Sequence, residues 1–286
     1  MDVSVTTTML LLVPSLDLPC IDRAGKNEVR PRAHDVGMKR QTLLGVWAHP
    51  DDEAYMSAGL MAEFRRRGDR VVVITATLGE HGTNDPAIWP PAKLASLRHT
   101  ELRNSLATLD VDELRVLGFE DGDCAAHDGT NAVACHIAEI QPDLIVTWGP
   151  DGLTGHPDHR AISRWTTAAW AATRRDASLW YATVTADFHR QWDAVNDQIG
   201  LWADQPDPPC TDHDDLAHSI TLHDDVLDLK VAALAAHQSQ TRPLIELLGP
   251  SVYREWWRTE SFRSPNGPAD HDQTALAGHG ASAWTP

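Results

Sequence analysis

Nowhere in its 286 residues does this chain carry an apolar run near the roughly 20 residues that cross a bilayer. The sequence therefore predicts no membrane-spanning helix. Cysteine is scarce and scattered: Cys20, Cys124, Cys135 and Cys210 form no CxxC pair. That pattern excludes a disulfide framework and a thiolate zinc site, and it suits a reducing cytoplasm. Cations are outnumbered, with 24 Lys and Arg against 41 Asp and Glu, for a formal net charge of −17. Such acidity argues against a nucleic-acid or anionic-membrane partner and reads as a solubilising surface. No internal repeat is visible, and nothing in the pattern decides between a monomer and a homo-oligomer.

The ends differ from the middle. Met9 to Pro14 (MLLLVP) lacks a basic n-region and is soon interrupted by Pro and acidic residues, so residues 1–40 read as a mobile extension. Met38-Lys39-Arg40 would make a natural alternative start. From Ser264 onward the Pro, Gly, Asp and Ala content predicts a disordered tail over 264–286. Residues 41–263 are long enough for a single α/β domain.

Within that stretch apolar runs alternate with helical periodicity. Strands are expected at 42–48, 70–77, 113–119, 143–148 and 179–185, with helices at 53–67, 92–109, 131–140 and from about His159 to Thr173. This alternation implies a largely parallel sheet with right-handed crossovers. Residues 187–218, rich in Trp, Asp and Pro, read as a long excursion covering one side of the site. A helix is expected over 224–240 and a late edge strand over 254–262.

Four of the strands end in polar, Gly-rich turns carrying His, Asp or Glu, and such turns share one rim of a parallel sheet, where ligands bind. The first reads Ala48-His49-Pro50-Asp51-Asp52-Glu53, and the fourth runs from Gly149 to His159. Two carboxylates and an imidazole so close together call for a cation. His49, Asp52 and His159 form a two-imidazole, one-carboxylate set that leaves a position open for water, as in catalytic zinc sites. Iron(II) suits the same donors, and His49-x-Asp51 with a distant His also spells an oxygenase triad, normally carried on an all-β scaffold. Asp51 is placed to act as a base, and His156 to polarise a carbonyl or protonate a leaving amine. Asp158 could accept from a ring nitrogen and fix its tautomer. His81, His127, His136, His213, His218 and His223 are expected at the surface or in caps. Trp165, Trp170, Trp180, Trp192 and Trp202 are expected as core or lid packing rather than a sugar platform.

The pair of motifs Ala48–Glu53 and Gly155-His156-Pro157-Asp158-His159 resembles the PIG-L/LmbE family of zinc-dependent N-acetylglucosaminyl deacetylases. Further matching pieces stand in order: Thr77-Leu78-Gly79-Glu80, Arg98 with Glu101, Leu117–Gly122, Lys230 with His237–Gln240, and Glu260-Ser261-Phe262. The resemblance implies a Rossmann-like three-layer αβα sandwich and hydrolysis of an N-acyl amino-sugar conjugate. It implies His49, Asp52 and His159 as zinc ligands and Asp51 as general base. His156 is implied as acid or oxyanion stabiliser, Asp158 as its modulator, and Arg98 as a substrate contact. One position departs: the mycothiol-pathway deacetylase has a tyrosine two residues before the histidine matching His156, and this chain has Thr154. An amidase cleaving a larger acyl group and a non-catalytic binding module are the rival readings.

Overall fold

The computed structural model describes residues 40–267 except Asn84, Arg174, Arg175, Asp204, Pro206 and Asn266. The expected mobile extension and disordered tail lie outside the described residues, apart from Arg40, Ser264, Pro265 and Gly267.

Seven strands form one sheet in the order β3-β2-β1-β4-β5-β7-β6. The strands are β1 (Thr42–Trp47), β2 (Arg70–Thr75), β3 (Glu113–Val116), β4 (Leu144–Trp148), β5 (Ser178–Thr183), β6 (Leu216–Thr221) and β7 (Thr259–Arg263). The first five pair in parallel, and β7 runs antiparallel between β5 and β6. β1 and β2 read TLLGVW and RVVVIT, and past its first residue each is buried throughout, as expected of strands covered on both faces.

Helices α1 (Asp52–Arg66) and α2 (Pro91–Thr108) connect strands in the direction of β3, whereas α3 (Thr130–Ile140) and α4 (Pro157–Thr173) connect in the direction of β5. Right-handed crossovers therefore put the two pairs on opposite faces. Contacts between α3 and α4, and of α1 and α2 with α6 (Asp224–Ala236), complete a three-layer αβα sandwich. Chain direction across the sheet reverses between β1 and β4. The crevice at their carboxyl ends is the topological switch point, and both His-Asp turns lie there.

The second half differs from expectation in three places. The excursion contains a regular helix, α5 (Ala186–Ile199), capped by the Thr185 hydroxyl. The helix expected over 224–240 ends at Ala236, and α7 (Gln238–Leu248) starts again beyond His237, whose side chain turns inward to Glu53. The late strand is not at an edge: α8 (Pro250–Trp256) comes first, and β7 then enters the sheet interior beside the unanticipated β6. Of the tryptophans, Trp165 and Trp180 are core, while Trp202 packs on the core and lines a cavity described below. His218 is half-buried, its ring stacked on Trp180 with centroids 5.2 Å apart.

An ion pair is set into α1. Lys230 Nζ donates to the Tyr55 carbonyl at 2.6 Å and to Glu260 at 2.8 Å, and Glu260 accepts from the Gly59 and Leu60 amides at 2.8 and 2.9 Å. The pair binds α1 to α6 and β7 just beyond the Asp51-Asp52 turn. Lys230→Met is expected to cost about 3 kcal/mol or more in denaturant unfolding, because it strands a buried carboxylate. A loss under about 1 kcal/mol would contradict this reading.

Candidate metal centre and active site

The first rim turn follows directly from β1. His49 and Asp52 are both largely buried, and Asp51 between them takes φ 104°, a left-handed conformation strained for any residue but glycine. Three contacts hold it. Its amide donates to Glu53 Oε2 at 3.0 Å, while Arg98 donates to the Pro50 carbonyl at 2.6 Å and to the Asp51 carboxylate at 3.3 Å. Glu53 is itself fixed by buried His237 at 3.0 Å. Gly79 lets Arg98 lie this close: a Cβ there would collide with the guanidinium, which also donates to the Gly79 carbonyl at 2.9 Å. Burial pushes the Asp51 carboxyl up to about 6, with the Arg98 charge pulling the other way.

Three side chains bring donor atoms together beside this turn. His49 Nδ1 and His159 Nε2 stand 3.3 Å apart, and Asp52 lies 3.7 Å from the first through Oδ2 and 3.6 Å from the second through Oδ1. Ligands of a tetrahedral zinc at ~2.0–2.1 Å are separated by about 3.3 Å, so the spacing fits a metal with little adjustment.

The outer partners leave these atoms free for a cation. His49 Nε2 faces Asp121 at 3.1 Å and Asp158 at 3.2 Å, so its N–H lies on that side and Nδ1 keeps its lone pair. His159 Nδ1 donates to the Gly152 carbonyl at 3.0 Å, which leaves Nε2 as the acceptor. Trp148 stacks on the His159 ring at 4.0 Å and donates from Nε1 to Asp52 Oδ2 at 3.2 Å. The Ala48 and His49 amides also donate to Oδ2. Carboxylates and carbonyls orient the ring nitrogens of ligating histidines in the same way.

Electrostatics agrees with the spacing. Burial opposes a charge on His49, yet hydrogen bonds to Asp121 and Asp158 and the charge of Asp52 overcome it and raise the imidazole to about 10. Metal-free, the acidic cluster draws a proton where a cation fits. Burial, aided by His49 and His156, pushes His159 well down and keeps it neutral, the state a ligand needs.

Two other donor groupings occur among the described residues: His49 with His156 and His159, and His49 with Asp121 and Asp158. The second engages the carboxylates that orient His49. These already accept backbone amides, Asp121 from His81 and Asp158 from Gly122 and Cys124. The first lacks an anion to balance a dication. The His49–Asp52–His159 set includes a carboxylate and leaves Asp121 and Asp158 on His49 Nε2, although Asp52 too accepts backbone amides, through Oδ2.

The remaining residues are placed as follows. His156 sits edge-on to His49 with ring centroids 4.8 Å apart, and its Nδ1 accepts the Asp158 amide. Burial, with His49 beside it, lowers its pKa. The Asp158 side chain braces His49 rather than His156. Arg98 is 4% exposed, and its hydrogen bonds go to the Asp51 turn and Gly79. Asp121 was legible only as part of a polar turn after β3, and Glu53 and His237 carried no pattern that announced their pairing. Asp121→Asn is expected to weaken zinc affinity about 10- to 100-fold with the fold unchanged, measured by competition with a chelating dye. Unchanged affinity would remove Asp121 from the site.

Two cavities meet at Asp51. One, of about 260 Å³, is lined by His49, His81, Gly82, Arg98, Asp121, Gly122 and His156. The other, of about 400 Å³, reaches from Asp51, Asp52 and His159 between apolar walls.

The chain is similar to known proteins in sequence and in fold. Residues 44–170 match the family described as PIG-L, GlcNAc-PI de-N-acetylase. A protein from Mycolicibacterium gilvum named 1D-myo-inositol 2-acetamido-2-deoxy-alpha-D-glucopyranoside deacetylase is 34% identical over 239 residues, covering 71% of this chain and 82% of its own. One of the same name from Corynebacterium glutamicum is 34% identical over 221 residues, covering 69% and 74%. Among solved structures, the N,N'-diacetylchitobiose deacetylase from Pyrococcus horikoshii superposes with a TM-score of 0.57 at 20% identity over 78% of this chain and 83% of its own. The zinc-inhibited form of teicoplanin deacetylase gives 0.56 at 16% identity over 79% and 100%. At such identities the structures attest the fold, and the sequence relatives attest the lineage. The chain belongs to the PIG-L family.

Proposed function

We propose that this protein is a zinc-dependent hydrolase that removes the acyl group from the amide nitrogen of an N-acetylglucosamine-type small-molecule conjugate. The convergence of His49 Nδ1, Asp52 and His159 Nε2 beside a strained Asp51 carries the reading. The names of the relatives support the substrate class.

His49, Asp52 and His159 would hold a zinc ion, which would supply Lewis-acid activation of a water and of the acyl carbonyl; the same donors would suit iron(II). The protein's own groups do the rest. Asp51 takes the proton of the attacking water; its carboxyl, raised to about 6, is ionised at neutral pH yet basic enough to accept it. Arg98 and Glu53 hold that carboxylate in its strained turn, which makes Arg98 a positioning residue here. His156 donates a hydrogen bond to the carbonyl oxygen as charge develops on it. The proton gathered by Asp51 then goes to the departing amine. Asp158 and Asp121 keep His49 in the tautomer that presents Nδ1.

The test is to incubate the metal-loaded protein with a panel of N-acetylglucosamine conjugates, including an inositol-linked one, and to quantify free amine and acetate by mass spectrometry. Equal release of both from one of these conjugates, stopped by a chelator and restored by zinc, is expected. No amine from any conjugate, with a metal still bound, would overturn the reading.

A further inference from the structure

The apolar cavity is far larger than an acetyl group requires. Its walls come from several parts of the chain: Met56 on α1, Leu153 before α4, Leu201 and Trp202 after α5, Leu244 on α7, and Trp257 after α8. It opens onto Asp51, Asp52 and His159, and holds about 400 Å³. Asp51 also lines the polar cavity, so an amide attacked beside it has one space on each side.

The two spaces differ in chemistry. His81, Arg98, Asp121 and His156 surround the smaller one and can meet the hydroxyls of an amino sugar. Apart from Tyr55, Thr154 and the Asp51, Asp52 and His159 mouth, the larger cavity is walled by apolar and aromatic side chains, which offer sugar hydroxyls few partners for the water they would lose. The amine side of the amide therefore belongs in the polar cavity and the acyl side in the apolar one. The methyl of an acetyl group would leave most of the second cavity unfilled.

Building on the proposed function, we propose that the substrate carries an extended apolar N-acyl chain, and that the Trp202–Trp257 cavity is its binding site. Residues 187–218, expected to cover one side of the site, thereby supply a wall of the acyl pocket through Ile199, Leu201 and Trp202. The reaction is an ordinary hydrolysis: water adds to the acyl carbon, the C–N bond breaks, and a fatty carboxylate and a protonated amine leave.

The experiment is a series of acetyl, butanoyl, hexanoyl and octanoyl amides of one glucosamine conjugate, assayed with the zinc-loaded protein. The expected result is a rise in kcat/KM of about fourfold per added methylene, carried mainly by KM, until the cavity is full. Trp202→Ala, which removes a wall, and Leu244→Trp, which fills space from the opposite side, should each flatten that rise. Acetyl release with no dependence on chain length, or a rise untouched by both variants, would overturn the acyl pocket while leaving the deacylase reading intact. Amine release from none of the four would overturn both.

Discussion

Asp51→Asn is expected to lower kcat by roughly a thousandfold while the protein keeps its full complement of zinc. The exchange is nearly isosteric. Asparagine also tolerates positive φ better than most residues, so the turn at φ 104° should survive. What goes is the basic oxygen: an amide cannot take the proton of the attacking water. Asp51 is absent from the three converging donors, so metal content should not follow turnover. The check is single-turnover amine release beside elemental analysis of the same sample. Less than tenfold loss would mean that another group is the base, and parallel loss of zinc would mean that Asp51 is a ligand.

Asp52→Ala should have the opposite signature, in which metal and turnover vanish together. Asp52 is the only anion among the three donors, so its loss leaves two neutral imidazoles facing a dication. The cost should exceed the 10- to 100-fold typical of losing an outer partner. Alanine also abandons the Ala48 and His49 amides and the Trp148 indole, all of which donate to Asp52 Oδ2. Asp52→Asn retains an acceptor for those donors and separates folding from ligation. It should stay folded by circular dichroism and still bind zinc far more weakly than the native protein. Native zinc content in the asparagine variant would remove Asp52 from the ligand set.

The parallel half of the fold was legible because most of its strands are β-branched or apolar runs closed by polar turns, and the turns alone put His49, Asp52 and His159 on one rim. The C-terminal half was less so for physical reasons. β6 reads LAHSIT with mixed burial and carries no clean period, and β7 is five residues that follow a helix without a turn signal. The break at His237 reflects a tertiary bond to Glu53, which local propensity does not encode. Asp121 lies in a turn whose composition announced polarity without direction. Its partner, His49 Nε2, is reached only once β3 and β1 are assembled in the sheet. The Arg98 motif did not show that its guanidinium braces the Asp51 turn as well as lining the polar cavity.

The most direct test of the metal-triad account is to titrate zinc into chelated, refolded-state-checked protein while following bound metal and amine release together. The account predicts that activity rises in proportion to bound zinc, ends at one ion per chain, and stays near zero in Asp51→Asn at the same occupancy. Full activity in the metal-free protein, or a second equivalent needed before any amine appears, would contradict it.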